Sequence, residues 1–370
     1  MTNEEKKRYI LDLHELIIKH HPYDINISME EILPREKTFW SKYFLPFYSL
    51  LPKTFFKYRK PTEYSFQDFE KDEAWFSNPK DFDDTTDSRI NNDIETEIKE
   101  FKSDPRKALK EVAVAIVFAY LRKANITFSE EQIDDALPLL NKDGTFNKQR
   151  TRLYLQGKLP KESIELLIKT LNEKVGSLTK CDNTLKTIKK LLDFYSGIND
   201  RITSEAFTYS LAEEGDNQSM WASMADESKG FCIEYEISND TFIGQRMLMN
   251  MQPVFYGDKP FIKFFDVIKR SLPSKHLVDN IDFDDYQTIF LSTFTKNKEF
   301  ESQKEWRITF DKRFGENHQS FPFIKSVILG ERMTEENKNR IIKAAKDKGI
   351  SVYQRDWNLT GSAIIIKKIL

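Results

Sequence analysis

Apolar and polar positions recur along this chain with two different periods, and the change of period marks its organisation. From Glu4 to Lys19 the residues Tyr9, Ile10, Leu13, Leu16 and Ile17 fall on one helical stripe. An aromatic segment from Phe39 to Phe56 follows, broken by Pro46 and Pro52, and then a short strand, Phe55-Phe-Lys-Tyr-Arg59. A helix is expected over Ser65–Glu70. Ala74–Asp84 reads as a strand ending in a turn, punctuated by Pro79 and clustered aspartates. Between about Ile90 and Asn199 a period near 3.6 takes over, in Lys107–Lys123, Glu130–Leu140, Lys161–Lys174 and Leu185–Tyr195.

Beyond Ser204 the period of two returns. Strands are expected at Ala206–Leu211, Phe231–Ile237, Val254–Tyr256, Glu305–Phe310, Ile324–Leu329, Ile350–Gln354 and Ala363–Ile369, with helices at about Phe261–Ser271 and Thr334–Lys348. Strands at both ends without regular βαβ alternation predict an α+β protein with a mixed or antiparallel sheet. The expected domains are an N-terminal helical and aromatic segment (1–53), a split core (54–89 plus 200–370) and an all-helical insertion (90–199).

Composition narrows the class. A chain of 370 residues with 39% apolar positions, 29 Phe and 14 Tyr can bury a substantial core and is not globally disordered. The net charge of -2 gives no overall bias toward nucleic acid or anionic membrane. Two cysteines in dissimilar segments, Cys181 and Cys232, argue against a disulfide framework and for a reducing cytoplasm. The N-terminus mixes charges with apolar residues and lacks a signal-peptide pattern, and the longest apolar run, Val112–Leu121, is far below the roughly 20 residues that span a bilayer. No membrane partner is expected.

Motifs exclude further classes. The 12 glycines form neither GxGxxG nor GxxxxGK[ST], there is no HExxH or GxSxG, and the five histidines lack metal-ligand spacing. What remains is a strand that alternates strictly: Glu305, Arg307 and Thr309 on one face, Trp306, Ile308 and Phe310 on the other. Its apolar face can anchor the core, leaving a carboxylate and a guanidinium fixed on a rigid element facing outward. A surface ion pair worth about 0–1 kcal/mol is the plainer reading of the same pattern.

The ordered series Phe56-Lys-Tyr-Arg59, Trp75-Phe-Ser-Asn-Pro-Lys-Asp-Phe-Asp-Asp84, Tyr209-Ser210, Met220-Trp221, Lys229-Gly-Phe-Cys-Ile-Glu-Tyr235, Pro253-Val-Phe-Tyr256, Lys304-Glu-Trp-Arg307 and Val327-Ile-Leu-Gly330 resembles a bacterial family, domain of unknown function 2971. The resemblance covers about 54–87 and 204–356. It departs from the family at Phe82-Asp83-Asp84-Thr85, where Phe-Asn-Asp-Pro is usual, and around Met224, where an aromatic is usual. The family is frequent in bacterial defence-like gene neighbourhoods, which implies an antiphage or toxin effector.

The three strands that carry these motifs also look like the site of ADP-ribosyltransferases. That second resemblance implies NAD as substrate, cleaved at the nicotinamide–ribose bond, with ADP-ribose passed to an unknown acceptor. Lys57, Tyr58 and Arg59 match its first strand, Tyr209 and Ser210 its middle strand, and Glu305 its last. Bond cleavage builds positive charge on the ribose, so Glu305 would stabilise that charge. Arg59 or Lys57 would hold the pyrophosphate, and Arg307 would orient. Tyr58, Tyr209 or Trp221 would stack on a ring, and Ser210 would fix the ribose. Because Ser210 alternates with Tyr209, only one of the two should face the site, and Ser210 is favoured.

Two other readings stay open. Residues 142–180 hold nine Lys/Arg against four Asp/Glu, so the insertion could meet nucleic-acid phosphates or a protein partner, and the protein could be a non-catalytic sensor or scaffold that binds nucleic acid, a nucleotide or a protein partner. Asp81, Asp83, Asp84 and Asp87 form an acidic turn that could serve a metal-dependent nuclease, although their spacing is not that of a calcium loop and no metal is expected.

Overall fold

The computed structural model describes residues 2–20, 29–105, 108, 147–157, 159–178, 182–271, 291–312, 315–357 and 364–370. The helices expected at Lys107–Lys123 and Glu130–Leu140 lie outside the described residues. The chain forms two units: Met1–Arg89 with Asp200–Lys259 and Leu291–Leu370, and Ile90–Asn199 with Pro260–Phe290. The N-terminal 1–53 segment falls in the first unit instead of standing apart, and the stretch that includes the Phe261–Ser271 helix falls in the helical unit instead of the core.

In the first unit the strands are β1 (Phe55–Arg59), β2 (Glu73–Trp75), β3 (Ala206–Ala212), β4 (Phe231–Tyr235), β5 (Met251–Pro253), β6 (Phe255–Tyr256), β7 (Thr295–Lys296), β8 (Glu305–Asp311), β9 (His318–Ser320), β10 (Ile324–Leu329), β11 (Ser351–Trp357) and β12 (Ile364–Lys368). Eight of them make one sheet in the order β12-β11-β10-β4-β1-β3-β8-β5, and β2 with β9 and β6 with β7 make two small ladders. The large sheet is antiparallel except where β10 pairs with β11, so the class is α+β. That parallel pair needs a crossover, which the helix Glu335–Lys348 supplies. Thr334 caps it through Asn337 N, acidic residues open it, lysines close it, and Gly349 ends it at φ 68°.

Opposed residues of neighbouring strands share a sheet face. The pairs Phe56↔Ala212, Tyr58↔Cys232, Ser210↔Arg307 and Ala212↔Glu305 therefore put all of these on one face. Phe55, Lys57, Arg59, Tyr209, Leu211, Trp306 and Ile308 occupy the other, which the N-terminal helix Asn3–His20 helps to cover with buried Tyr9, 6.0 Å from Trp306 ring to ring. Strand β8 is thus buried on both faces: Glu305, Trp306, Arg307 and Ile308 are all in the interior. The expectation that Glu305 and Arg307 face outward is corrected.

β1 runs beside β4 over five paired positions but meets β3 at one, Phe56 with Ala212. The loop after β2 docks on the far part of β3: Ser77 and Thr208 exchange backbone hydrogen bonds of 3.0 and 2.9 Å, and Asn78 Nδ2 donates to the Ala206 carbonyl at 2.7 Å. This fixes the acidic turn beside the sheet. Gly230 immediately precedes β4, where any Cβ would lie 2.0 Å from the Arg59 carbonyl oxygen, so no larger residue fits there.

The helical unit contains Ile94–Ser103, Lys148–Leu155, Lys161–Leu178, Asp182–Ser196 and Phe264–Ser271. Tyr195 stacks on Phe264 at 4.4 Å, and Leu155, Ile164 and Ile168 form a second small core. The Glu97 carboxylate accepts from Phe264 N and Phe265 N at 3.0 and 2.6 Å and caps the last of these helices. Within the locally basic stretch, Arg152 is paired with Glu165, one of its N–H···O bonds measuring 2.7 Å.

Candidate functional site

A cavity of about 380 Å³ opens in the first unit where β1 and β3 part. Its sheet wall is Phe56, Tyr58, Ser210, Ala212 and Glu305, with Lys57 in the seam. The acidic turn contributes Asp81, Phe82, Asp83, Asp84 and Asp87; the segment around β7 contributes Lys296, Phe300 and Gln303; and Met220 and Met224 close it from the region of the helix Gln218–Ser223.

At its floor lies a network of four charges. Arg307 holds Asp87 with two parallel bonds, NH1 to Oδ1 at 2.8 Å and NH2 to Oδ2 at 2.7 Å. Its Nε donates to Glu305 Oε1 at 2.7 Å, and NH1 also reaches Ser88 Oγ at 2.9 Å. Lys296 Nζ donates to Glu305 Oε2 at 2.7 Å and to Gln303 Oε1 at 3.1 Å, and lies 3.2 Å from Asp87 Oδ2. Two carboxylates and two cations cancel, and each carboxylate oxygen of Glu305 has a donor. That is the condition under which buried charge is tolerated. Burial alone would raise the Glu305 and Asp87 pKa values, but Arg307 and Lys296 outweigh it and hold both carboxyls below their ordinary values. Burial likewise works against the Arg307 charge, and the two carboxylates more than restore it. Glu305 is a fixed anion, suited to stabilising positive charge and unsuited to donating a proton.

Lys57 Nζ donates to the Ser210 backbone carbonyl at 2.7 Å and sits 4.5 Å from the centre of the Tyr209 ring. Tyr58 lines the cavity with its ring side, while its hydroxyl donates to the Glu214 carbonyl at 2.8 Å and accepts from Asn217 N at 3.0 Å.

Of the residues expected at a site, Glu305, Ser210, Lys57 and Tyr58 meet around this one cavity. Four others stand off its wall, and for Arg59, Tyr209 and Trp221 the expected contact with a ligand is corrected. Arg59 lies on the opposite sheet face, paired with Asp68, because strand alternation separates it from Tyr58. Tyr209 points to that same face, into a buried cluster with Phe76, Tyr235 and Phe321. Trp221 is fully buried, its Nε1 donating to the Gly215 carbonyl at 3.0 Å and its ring edge-on to Tyr58. Arg307 lies beneath the cavity, consumed by Asp87 and Glu305. Lys296, Phe300 and Phe82 also line the cavity, and the sequence pattern does not single them out. Lys296 belongs to a two-residue strand with no periodicity to reveal it; the aromatic content around 294–300 was the available signal.

Residues 220–308 match a family model described as "Protein of unknown function (DUF2971)", and this stretch carries Met220, Met224, Lys296, Phe300 and Glu305 of the cavity wall. The resemblance to that family is supported across these residues. No match emerges among curated proteins or among solved structures. Among the described residues, no helix is long and apolar enough to cross a membrane, and no group of three or more His, Cys, Asp or Glu side chains is arranged to hold a metal ion.

Proposed function

We propose that this cavity accepts the nicotinamide–ribose end of NAD and promotes cleavage of the bond between them, with ADP-ribose passing to an acceptor, as a bacterial defence or toxin effector acting in the cytoplasm. The observation that carries the proposal is Glu305: a carboxylate kept ionised by Arg307 and Lys296 on a cavity wall, on the same sheet face as Ser210. A fixed anion of this kind lowers the energy of positive charge developing on a ribose. With Glu305 the lining holds five carboxylates against two lysines, and the rings of Phe56, Phe82 and Phe300, an environment for a flat, positively charged ring. Its volume is at the small end of ligand pockets, so the proposal leaves the pyrophosphate and adenosine outside the acidic wall. Arg59 has no part in holding them.

The test is release of nicotinamide from NAD by purified protein, with and without cell extract, for wild type, Ser210→Ala and Glu305→Gln. Each variant is checked for native fluorescence. Glu305→Gln should lose on the order of 100-fold or more. Turnover in Glu305→Gln equal to wild type, in folded protein, overturns the reading. Neither alternative from the sequence gains a specific observation: Asp84 Oδ1 is taken up by Thr86 N and Oγ1 at 2.8 Å each, and Arg152 by Glu165.

A further inference from the structure

β1 and β3 are neighbours that share one paired position, and Lys57 comes directly after it. Its side chain lies in the opened seam, held by the Ser210 carbonyl at 2.7 Å and lying over the Tyr209 ring. Lys57 and Ser210 both border the cavity. Lys296, the other lysine of the wall, is bound by Glu305 and Asp87, whereas among the described residues no carboxylate pairs with Lys57. It is an amine anchored by a neutral acceptor, next to a space that a small molecule can enter.

The charges that face it come from three other elements and its own strand. Arg59 on β1 and Lys296 on β7 disfavour the ammonium form; Glu305 on β8 and Asp68 on the helix Glu63–Lys71 favour it. Both carboxylates are already engaged more closely, Asp68 by Arg59 and Glu305 by Arg307 and Lys296. Burial first, and Arg59 second, lower the amine to about 7. The Tyr209 face beneath it works in the other direction and supports the charged form.

We infer that Lys57 is a nucleophilic amine of this cavity, at which the carbonyl group of an aldehyde or ketone ligand is captured as an imine. The nitrogen lone pair adds to the carbonyl carbon, forming the C–N bond. The nitrogen gives up its two protons to the carbonyl oxygen, which leaves as water, so nothing is oxidised or reduced. The inference stands apart from the NAD reading and needs no nucleotide.

The experiment is a brief exposure of the native full chain to benzaldehyde, whose ring suits the Phe56 and Phe300 walls, with sodium cyanoborohydride to fix any imine as a benzylamine. Modified lysines are then mapped by peptide mass spectrometry across pH 6–10. At pH 7 about half of an amine with a pKa of about 7 is neutral, against about 1 in 2,500 for a lysine at 10.4. Lower intrinsic nucleophilicity offsets part of this advantage. Lys57 should label at least ~10-fold faster than exposed lysines, with a rate that levels off above a midpoint near 7. Arg59→Met removes the adjacent cation and frees Asp68, so its midpoint should move up and its labelling at pH 7 should slow. Labelling of Lys57 no faster than exposed lysines in wild type, or a rate that climbs without a midpoint to pH 10, overturns the inference. The wild-type profile alone decides the matter if Arg59→Met does not fold.

Discussion

The four-charge floor of the cavity can be tested by dismantling it one charge at a time. In Asp87→Ala the guanidinium of Arg307, 2% exposed, loses both of its Asp87 bonds, and Lys296 and Arg307 are left facing Glu305 alone. If the Asp87–Arg307 pair behaved as a surface contact, the loss would be about 0–1 kcal/mol. Burial decides otherwise. Unit charges about 4 Å apart interact by roughly 4 kcal/mol at an effective dielectric of 20, and removing one partner of a buried pair typically costs about 3–5 kcal/mol because the other is left uncompensated. For a unit of this size that corresponds to a fall in midpoint temperature on the order of 10 °C. All five tryptophans, Trp40, Trp75, Trp221, Trp306 and Trp357, belong to the sheet-containing unit, so their fluorescence in thermal and urea titrations follows that unit without the helical one. The double variant Asp87→Ala/Arg307→Met leaves only the neutral Lys296–Glu305 pair and should recover most of the loss. Single-variant costs below about 1 kcal/mol, or a double variant whose cost is the sum of the two singles, would refute the reasoning.

Three further outcomes follow from the same geometry. Because the folded-state pKa values of Glu305 and Asp87 are depressed, their contribution is present above the unfolded carboxylate values of about 4 and is lost as pH falls below them; acid titration of the tryptophan signal in wild type, compared with Asp87→Ala, checks this. Lys57 gives a slope of the same sign at higher pH. With a folded value of about 7 against about 10.4 unfolded, the unfolded chain binds more protons between these limits, so stability should rise from pH 7 to pH 10 in wild type and rise less in Lys57→Met. Gly230→Ala would set a methyl 2.0 Å from the Arg59 carbonyl oxygen, and the resulting shift of β4 against β1 should cost about 1–3 kcal/mol by urea denaturation; a change under about 0.5 would contradict the close approach.

Strand positions were readable wherever alternation was unbroken: Ile324–Leu329 and the Glu305 strand come out as expected, and so does Ser210 rather than Tyr209 on the cavity side. Val254–Tyr256 did not, because the chain leaves the large sheet after Pro253 and joins a different ladder from Phe255. The burial of Arg307 was invisible for another reason. Alternation reports which residues share a face but not whether that face is covered, and the partner that permits its burial, Asp87, lies 220 positions away. Asp87 itself is one of four aspartates in the acidic turn, and nothing in the sequence sets it apart from the other three. Trp221 and Tyr209 were attractive as stacking surfaces, yet large aromatics on a strand or on a helix packed against the sheet serve first as packing, and both are spent there.

The place of β1 in the middle of the sheet has a consequence for biosynthesis. Its two flanking neighbours, β3 and β4, begin at Ala206 and Phe231, so more than a hundred residues must leave the ribosome before either side of Phe55–Arg59 finds a partner. Through that interval the nascent chain carries an aromatic strand with both edges open, the kind of segment that pairs wrongly with other chains. Lys57 and Arg59, placed at alternate positions within it, act as gatekeepers against such pairing until the late strands arrive.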